Sequence, residues 1–476
     1  MIDSKLTIGV FGIGLNVYWE QFDGLKASME NNLEILCLKF SDKPVQVVNA
    51  GIVDNVDGAF AAGKKFRQED VDIVFLYVGT YALSSTVLPV VQKLNVPVVV
   101  LNLSPEASIN YETFNSLNNR TEMTGTWLKY CSACPVPEIA NVFKRTGINF
   151  YQITGMLEND EESNQEILEW VEAANVAHIM QNNRMGCMGN YYSGMLDIYT
   201  DLTLQIKYFG GHFEHLEVEE LSALRKEVSL DEAYMRISDF REQFDIQEDC
   251  AEEELLRAAR TSVAMDKLIA KYKLGSFAYY HKGTGSADNE DTMSSIILGN
   301  SLLTARGVPV AGEFEIKNAQ AMKIIDCFGA GGSFTEYYAM DYTDDVVLMG
   351  HDGPGHIAIA EGRTKVKPLQ VYHGKVGRGL SVEMAVKSGP ITCLSIVEKG
   401  NGELMMLVAE GQSESGPILE IGNTNSRYRF PLGARKFVGE WNSHGPAHHC
   451  AVGLGHISSK LNKLARILGM EMIKVC

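Results

Sequence analysis

The chain has 476 residues, too many for one ordinary hydrophobic core, so two or three domains are expected. Its 45% hydrophobic and 21% charged content is that of a water-soluble globular protein, and no apolar run is long enough to span a bilayer. A net charge of −18 argues against a broad basic patch, and so against a nucleic-acid partner.

The N-terminus, Met1–Lys5, lacks the charged, apolar and small-residue layout of a signal peptide. The nine cysteines are scattered and odd in number, which suits a reducing compartment, so the cytoplasm is expected. Leu6–Phe11 reads as a first strand and Val17–Met29 as helical. Asp72–Val78 and Val96–Leu101 read as buried strands, with helices near 56–67 and 82–94. Continuous apolar runs separated by helices predict a parallel sheet covered on both faces, over residues 1–175. Gly12 and Gly14 supply part of a dinucleotide fingerprint, but Val17 stands where its third glycine belongs. No acidic residue closes a clear second strand at Glu34–Lys39, so the glycines read as a tight turn at the end of strand one. Cys131 and Cys134 form a lone CxxC with no second pair at zinc-ribbon spacing, and read as two ordinary thiols before a helix.

Residues 176–325 read as a second alternating block. His178–Met180 looks like a strand, Glu252–Leu268 a long helix, and Ser276–Tyr280 another strand. The highly charged stretch Leu216–Asp249 reads as an exposed helical connection. Ile316–Phe328 is helix-compatible. From 326 to 476 short β runs dominate: Val346–Leu348, Ile357–Ile359, Ile391–Val397 and Leu404–Val408, with a helix at Leu461–Leu468 and a last strand-like run at Met472–Val475. The expected fold is therefore α/β: two Rossmann-like parallel-sheet domains followed by a C-terminal antiparallel β module.

Candidate chemistry gathers in four short, loop-like stretches: Ala311–Glu315, Gly331–Glu336, Met349–His356 and Pro446–His449. Taken singly, a Glu after a Gly is a helix cap or a surface charge, and a lone His is a hydrogen-bonded loop residue. Four such stretches in one chain suit a shared divalent ion. None of the candidate ligands is a cysteine, which argues against a thiolate-rich structural zinc site.

These stretches resemble the L-arabinose isomerase and L-fucose isomerase family, closest to the arabinose branch. The carrying residues are Ala311-Gly312-Glu313 with Lys317-Asn318-Ala319, Gly331–Tyr338, Leu348–His351 and Ala447–His449, in matching order and spacing. The resemblance implies that Glu313, Glu336, His351 and His449 bind a divalent metal, usually Mn²⁺ with Co²⁺ or Mg²⁺ as alternatives. It implies that Glu313 and Glu336 also carry proton transfers, with His448 beside the metal ligand. It further implies a small sugar as substrate and a homo-oligomer, a trimer or hexamer or else a tetramer. Substrate contacts are implied at Asn16, Tyr18 and Met185.

The chemistry of aldose–ketose interconversion fits this set. One carboxylate takes the carbon-bound proton and a second shuttles the hydroxyl proton, while a cation stabilises the ene-diolate. A hydride shift, an epimerase or lyase using the same site, and an inactive sugar-binding homologue are the alternatives. The departures concern the sugar. Met123 stands where the arabinose branch has a histidine, and Asp352-Gly353-Pro354-Gly355-His356 replaces its pattern after His351. Asp352 and His356 either bind substrate hydroxyls or brace the loop.

Overall fold

Eight consecutive buried residues, Leu6–Ile13, form a central strand of a five-stranded parallel sheet. The sheet order is Val45–Val53, Leu6–Ile13, Ile73–Tyr77, Val98–Ser104, Phe150–Met156. A computed structural model supplies this view, describing residues 5–283, 285–369, 371–372, 375–376 and 378–476. The chain divides into two compact units, Asp3–His178 and a second containing Ile179–Cys476.

In the first unit, helices Leu25–Leu38, Val56–Gln68, Ser84–Val91, Val136–Thr146 and Glu161–Gln181 alternate with the strands. Strand residues Val74, Leu76, Val98 and Val100 and helix residues Phe66, Val90 and Phe143 share one apolar cluster. The segment Glu34–Leu38 belongs to a helix, and the second strand is Val45–Val53, whose mostly half-exposed residues gave no continuous apolar run. Gly14 is dictated by packing: a Cβ there would sit 2.5 Å from the ring of Trp19. His178–Met180 is not a strand. Trp170, Ala173, Ala174, Ala177 and Met180 are buried at helical spacing, so the period of 3.6 carries the helix through to Gln181. All nine cysteines are free, and burial pushes the Cys131 thiol up to about 11.

The second unit holds two further sheets. Four parallel strands lie in the order Val310–Ala311, Ser276–Tyr280, Arg184–Gly189, His212–Leu216. The charged stretch after Leu216 forms helices Val218–Lys226 and Leu230–Gln243, which bury Leu221, Ala233, Ile237 and Phe240 against helix Glu252–Tyr272. That stretch is therefore amphipathic, not simply an exposed connection.

The C-terminal antiparallel module closes on itself. Strands Gly389–Glu398, His449–Leu454, Gly331–Asp341, Val346–His351, Thr424–Arg429 and Leu404–Glu414 pair in that order, and the last pairs with the first. A closed circuit leaves fewer unpaired edges than an open sheet. Glu471–Lys474 adds to Leu404–Glu414 in parallel. Val347, Met349, Cys393, Leu407, Tyr428, Cys450 and Val452 form the apolar filling, joined by Phe437 and Trp441 of helix Ala434–Ser443. Ile357–Ile359 is a 3-10 turn rather than a strand.

Helix Ile316–Cys327 joins the two sheets. Residues Ile316–Ile325 are all buried, packed against strands of the parallel sheet on one side and of the barrel on the other. Among the described residues, no helix is long and apolar enough to cross a membrane.

Gly350 is the tightest approach in the barrel, since a Cβ there would lie 1.9 Å from the Thr424 carbonyl oxygen. Gly350→Ala is expected to destabilise the protein by about 3 kcal/mol, the upper range for overpacking, measured by urea unfolding. An unchanged midpoint would show that the two strands can separate freely.

Candidate metal centre

Barrel register assembles most of the centre. Glu336 stands opposite His449 on one neighbouring strand and opposite Gly350 on the other, which places His351 one residue further on. Glu336, His351 and His449, which fall in three of the four stretches expected as loops, are thus strand residues, while residues 352–356 and 446–448 are loop. Alternation explains the facing set: Phe334, Glu336 and Tyr338 share one side of the strand, while Tyr337 packs with the barrel filling.

Glu313 arrives from the parallel sheet, two residues beyond Val310–Ala311. Carboxyl ends of parallel strands are where such sheets commonly bind ligands. Glu313 and Phe314 have φ of +56° and +63°, an uncommon conformation for side chains with a Cβ. Hydrogen bonds hold it: Phe314 N donates to Tyr279 O, Glu315 N to Gly312 O, and Tyr192 N to Glu313 O. Strained backbone held this way is characteristic of functional loops.

The two proposed imidazole ligands share one arrangement. His449 Nδ1 lies 2.5 Å from Glu315 Oε2, and His351 Nδ1 lies 2.6 Å from the carbonyl oxygen of Asp352. Holding Nδ1 fixes the ring and directs Nε2 elsewhere. His449 Nε2 is buried without a hydrogen-bond partner, 3.4 Å from Glu313 Oε2, itself buried without one. His351 Nε2 is 3.9 Å from Glu313 Oε1. Candidate ligand atoms of Glu336, His351 and His449 lie within 4.8 Å of one another, as do those of Glu313, His448 and His449. Nitrogen and oxygen ligand atoms at this spacing, with His449 Nε2 and Glu313 Oε2 buried and unpartnered among them, fit a divalent ion of the Mn²⁺, Co²⁺ or Mg²⁺ class.

Burial sets the charges. It pushes His449 down to about 3 and Glu315 up to about 8. For Glu313 burial raises the pKa, but His448, His449 and His351 outweigh it and hold the carboxyl below its usual range. For His448 burial lowers the pKa, but Glu313 and Asp197 outweigh it and raise the imidazole to about 9.

A small cleft, partly open to solvent, lies beside the centre. Tyr192, Tyr280, Phe334, Met293 and Pro354 give it apolar walls, with Glu313, His351, Asp352 and His281 as polar groups. The structure separates the two polar newcomers of the sequence. Asp352 lines the cleft, whereas His356 lies outside that lining, buried with Nε2 3.9 Å from Asp326. Met185 is likewise a core residue, 1% exposed within its strand and absent from the cleft wall. His448 stands beside Glu313, with Nε2 at 3.6 Å. Asn16 and Tyr18 form the 3-10 turn after strand Leu6–Ile13, and Met123 lies on helix Arg120–Leu128; all three belong to the Asp3–His178 unit.

Sequence reasoning overlooked Glu315, Lys317 and Asp197 as parts of the site. Glu315 and Lys317 are two charges at the start of a helix whose residues Ile316–Ile325 are all buried. Asp197 carried no local signal, since its partner His448 is 251 residues away.

Residues 331–471 match the family model described as the L-arabinose isomerase C-terminal domain. The match supports an arabinose isomerase-like family assignment. The arabinose isomerase-like domain spans Glu336, His351 and His449, while Glu313 lies ahead of it. A search of curated proteins found no match.

Glu315→Gln keeps the shape but removes the carboxylate behind His449. Mn²⁺ affinity is expected to fall about 10–100-fold, the usual effect of losing such a partner. Titration calorimetry on the folded variant checks this, and an unchanged Kd would remove Glu315 from the centre.

Proposed function

We propose that the protein is a metal-dependent aldose–ketose isomerase acting on a free pentose, hexose or deoxysugar. The observation that carries this reading is a pair of overlapping ligand sets that share His449, Glu336/His351/His449 and Glu313/His448/His449, with the imidazoles of His351 and His449 held at Nδ1 and their Nε2 atoms at 3.9 and 3.4 Å from Glu313. The arabinose isomerase C-terminal domain supports a sugar isomerase as the broader class.

Glu313, Glu336, His351 and His449 would hold the divalent ion, which would supply polarisation of the sugar carbonyl and compensation of developing negative charge. The protein's own residues move the protons. In the aldose-to-ketose direction, one glutamate of the Glu313/Glu336 pair removes the proton from C2 of the aldose and returns it to C1. The other takes the O2 proton and delivers a proton to O1, so the sugar is isomerised with no net gain or loss. Glu313 suits base chemistry because its imidazole neighbours hold it ionised despite burial. The apolar walls around Phe334, Met293 and Pro354 limit water beside the reacting carbons.

This reading carries with it Mn²⁺ as the preferred ion, a homo-oligomer and a cytoplasmic setting. Asp352 in the cleft wall, together with Met123 in place of the arabinose-branch histidine, favours a sugar other than L-arabinose. A site that hydrogen-bonds a hydroxyl discriminates strongly, and an apolar side chain cannot reward that hydroxyl.

Chelation is expected to abolish activity and Mn²⁺ or Co²⁺ to restore it. Full activity in a preparation shown metal-free by elemental analysis would sink the reading. A panel of L-arabinose, D-galactose, L-fucose, D-arabinose and branched sugars, followed by NMR in D₂O, reports product and mechanism together. Aldose–ketose pairs with deuterium entering C1 or C2 are expected, with L-arabinose not leading in kcat/KM. Epimers or cleavage products would instead establish an epimerase or a lyase.

Glu313→Gln and Glu336→Gln are each expected to lose at least about 10²-fold in kcat, the scale of general acid–base catalysis. The variant that loses deuterium exchange identifies the carbon base. Near wild-type turnover with metal bound would exclude that glutamate from proton transfer.

A further inference from the structure

Three charged residues at alternate positions, Glu313, Glu315 and Lys317, reach His351, His448, His449 and Asp197 around the centre. Glu313 faces the imidazoles of His351, His448 and His449. Glu315 holds His449 at Nδ1. Lys317, 4% exposed, donates from Nζ to the backbone oxygen of Asp197 at 2.5 Å.

Asp197 lies in the 3-10 turn Leu196–Ile198. Its Oδ2 accepts two hydrogen bonds from His448, one from the backbone nitrogen at 2.9 Å and one from Nδ1 at 2.6 Å. The first fixes the chain at His448 and the second fixes the ring. With Nδ1 engaged, Nε2 is turned to Glu313 Oε2, 3.6 Å away. That oxygen also faces His449, leaving Oε1 toward His351.

We propose that Asp197 is a positioning residue: it fixes His448, and through His448 it sets the rotation of the Glu313 carboxylate. The inference rests on the reading of Glu313 as a metal ligand that transfers protons. Two observations separate it from an ordinary surface ion pair, which contributes little. A buried lysine is spent on holding the Asp197 turn, and burying a charge is costly unless it is paired or hydrogen-bonded. The backbone of Glu313 is also pinned in its positive-φ loop, so its remaining freedom is rotation of the side chain. His448 keeps a third of its side-chain surface exposed, and without Asp197 its ring is free to turn toward solvent.

Asp197→Asn and Asp197→Glu test this. Co²⁺-loaded Asp197→Asn is expected to show a shifted visible absorption spectrum, because Glu313 no longer meets the ion in one orientation. Its kcat should fall about 10–100-fold, as for lost outer partners of metal sites, with KM for the sugar changed far less. Asp197→Glu, which keeps the carboxylate, should recover part of kcat and the original spectrum. A wild-type spectrum with wild-type kcat in Asp197→Asn would overturn the proposal. Equal losses in both variants, with a lowered Tm of the metal-free protein, would also overturn it by assigning Asp197 to the fold alone. If the wild-type protein binds Co²⁺ but isomerises no sugar of the panel, the functional reading fails, and the spectra still decide the role of Asp197.

Discussion

The contact between Glu315 and His449 governs the centre. Both side chains are almost wholly buried, and burial drives each toward its neutral form. It also ties together two separate parts of the fold, the start of helix Ile316–Cys327 and a barrel strand. Left with a neutral pair, the protein would bury an unpartnered imidazole nitrogen beside an unpartnered carboxylate oxygen of Glu313. Native interiors rarely tolerate such groups without a reason. Positive charge at Nε2 would leave His449 neutral with its proton on Nδ1 and favour the ionised form of Glu315. The unpartnered atoms beside this pair are compatible with the cation proposed for the centre.

The helix that begins at Glu315 is the mechanical counterpart of that contact. Its surface is shared between a parallel sheet and a closed barrel, so it has no face left for solvent. Lys317 and Lys323 are nevertheless buried in it, each donating to a backbone carbonyl, of Asp197 and Gly307 respectively. An amphipathic helix would not need them. They act as struts, fixing loops whose positions the apolar packing leaves undetermined. Residues at the carboxyl ends of the parallel strands, Tyr280 and Glu313, are thereby held over the barrel edge where Glu336 and His449 pair.

Much of this was legible from residues in order. Buried strands such as Ile73–Tyr77 and the long helix Glu252–Tyr272 announce themselves by uninterrupted or periodic apolar residues. Glu313, Glu336 and His351 stood out in glycine-rich stretches, and the family resemblance added His449 to them. Three things were not legible. Gly331–Glu336 looked like a loop because its glycines mask the start of strand Gly331–Asp341, whose opposite faces serve the cleft and the barrel filling. His178 looked like a strand because a short apolar run does not distinguish strand from helix without its neighbours. Asp197 could not be found at all, since nothing in a local pattern records a partner 251 residues distant.

The positive-φ pair Glu313–Phe314 shows how the fold accepts local strain to serve the centre. Glycine would relieve the backbone at either position. Position 313 requires a carboxylate, and position 314 requires a ring that stacks edge-on against Tyr191 with centroids 4.9 Å apart. The strain is offset by the three backbone hydrogen bonds around the turn and by burial of Phe314. A loop over-determined in this way loses little further freedom when a ligand arrives. That rigidity suits the proposed role of Glu313, holding an ion and moving a proton within one geometry.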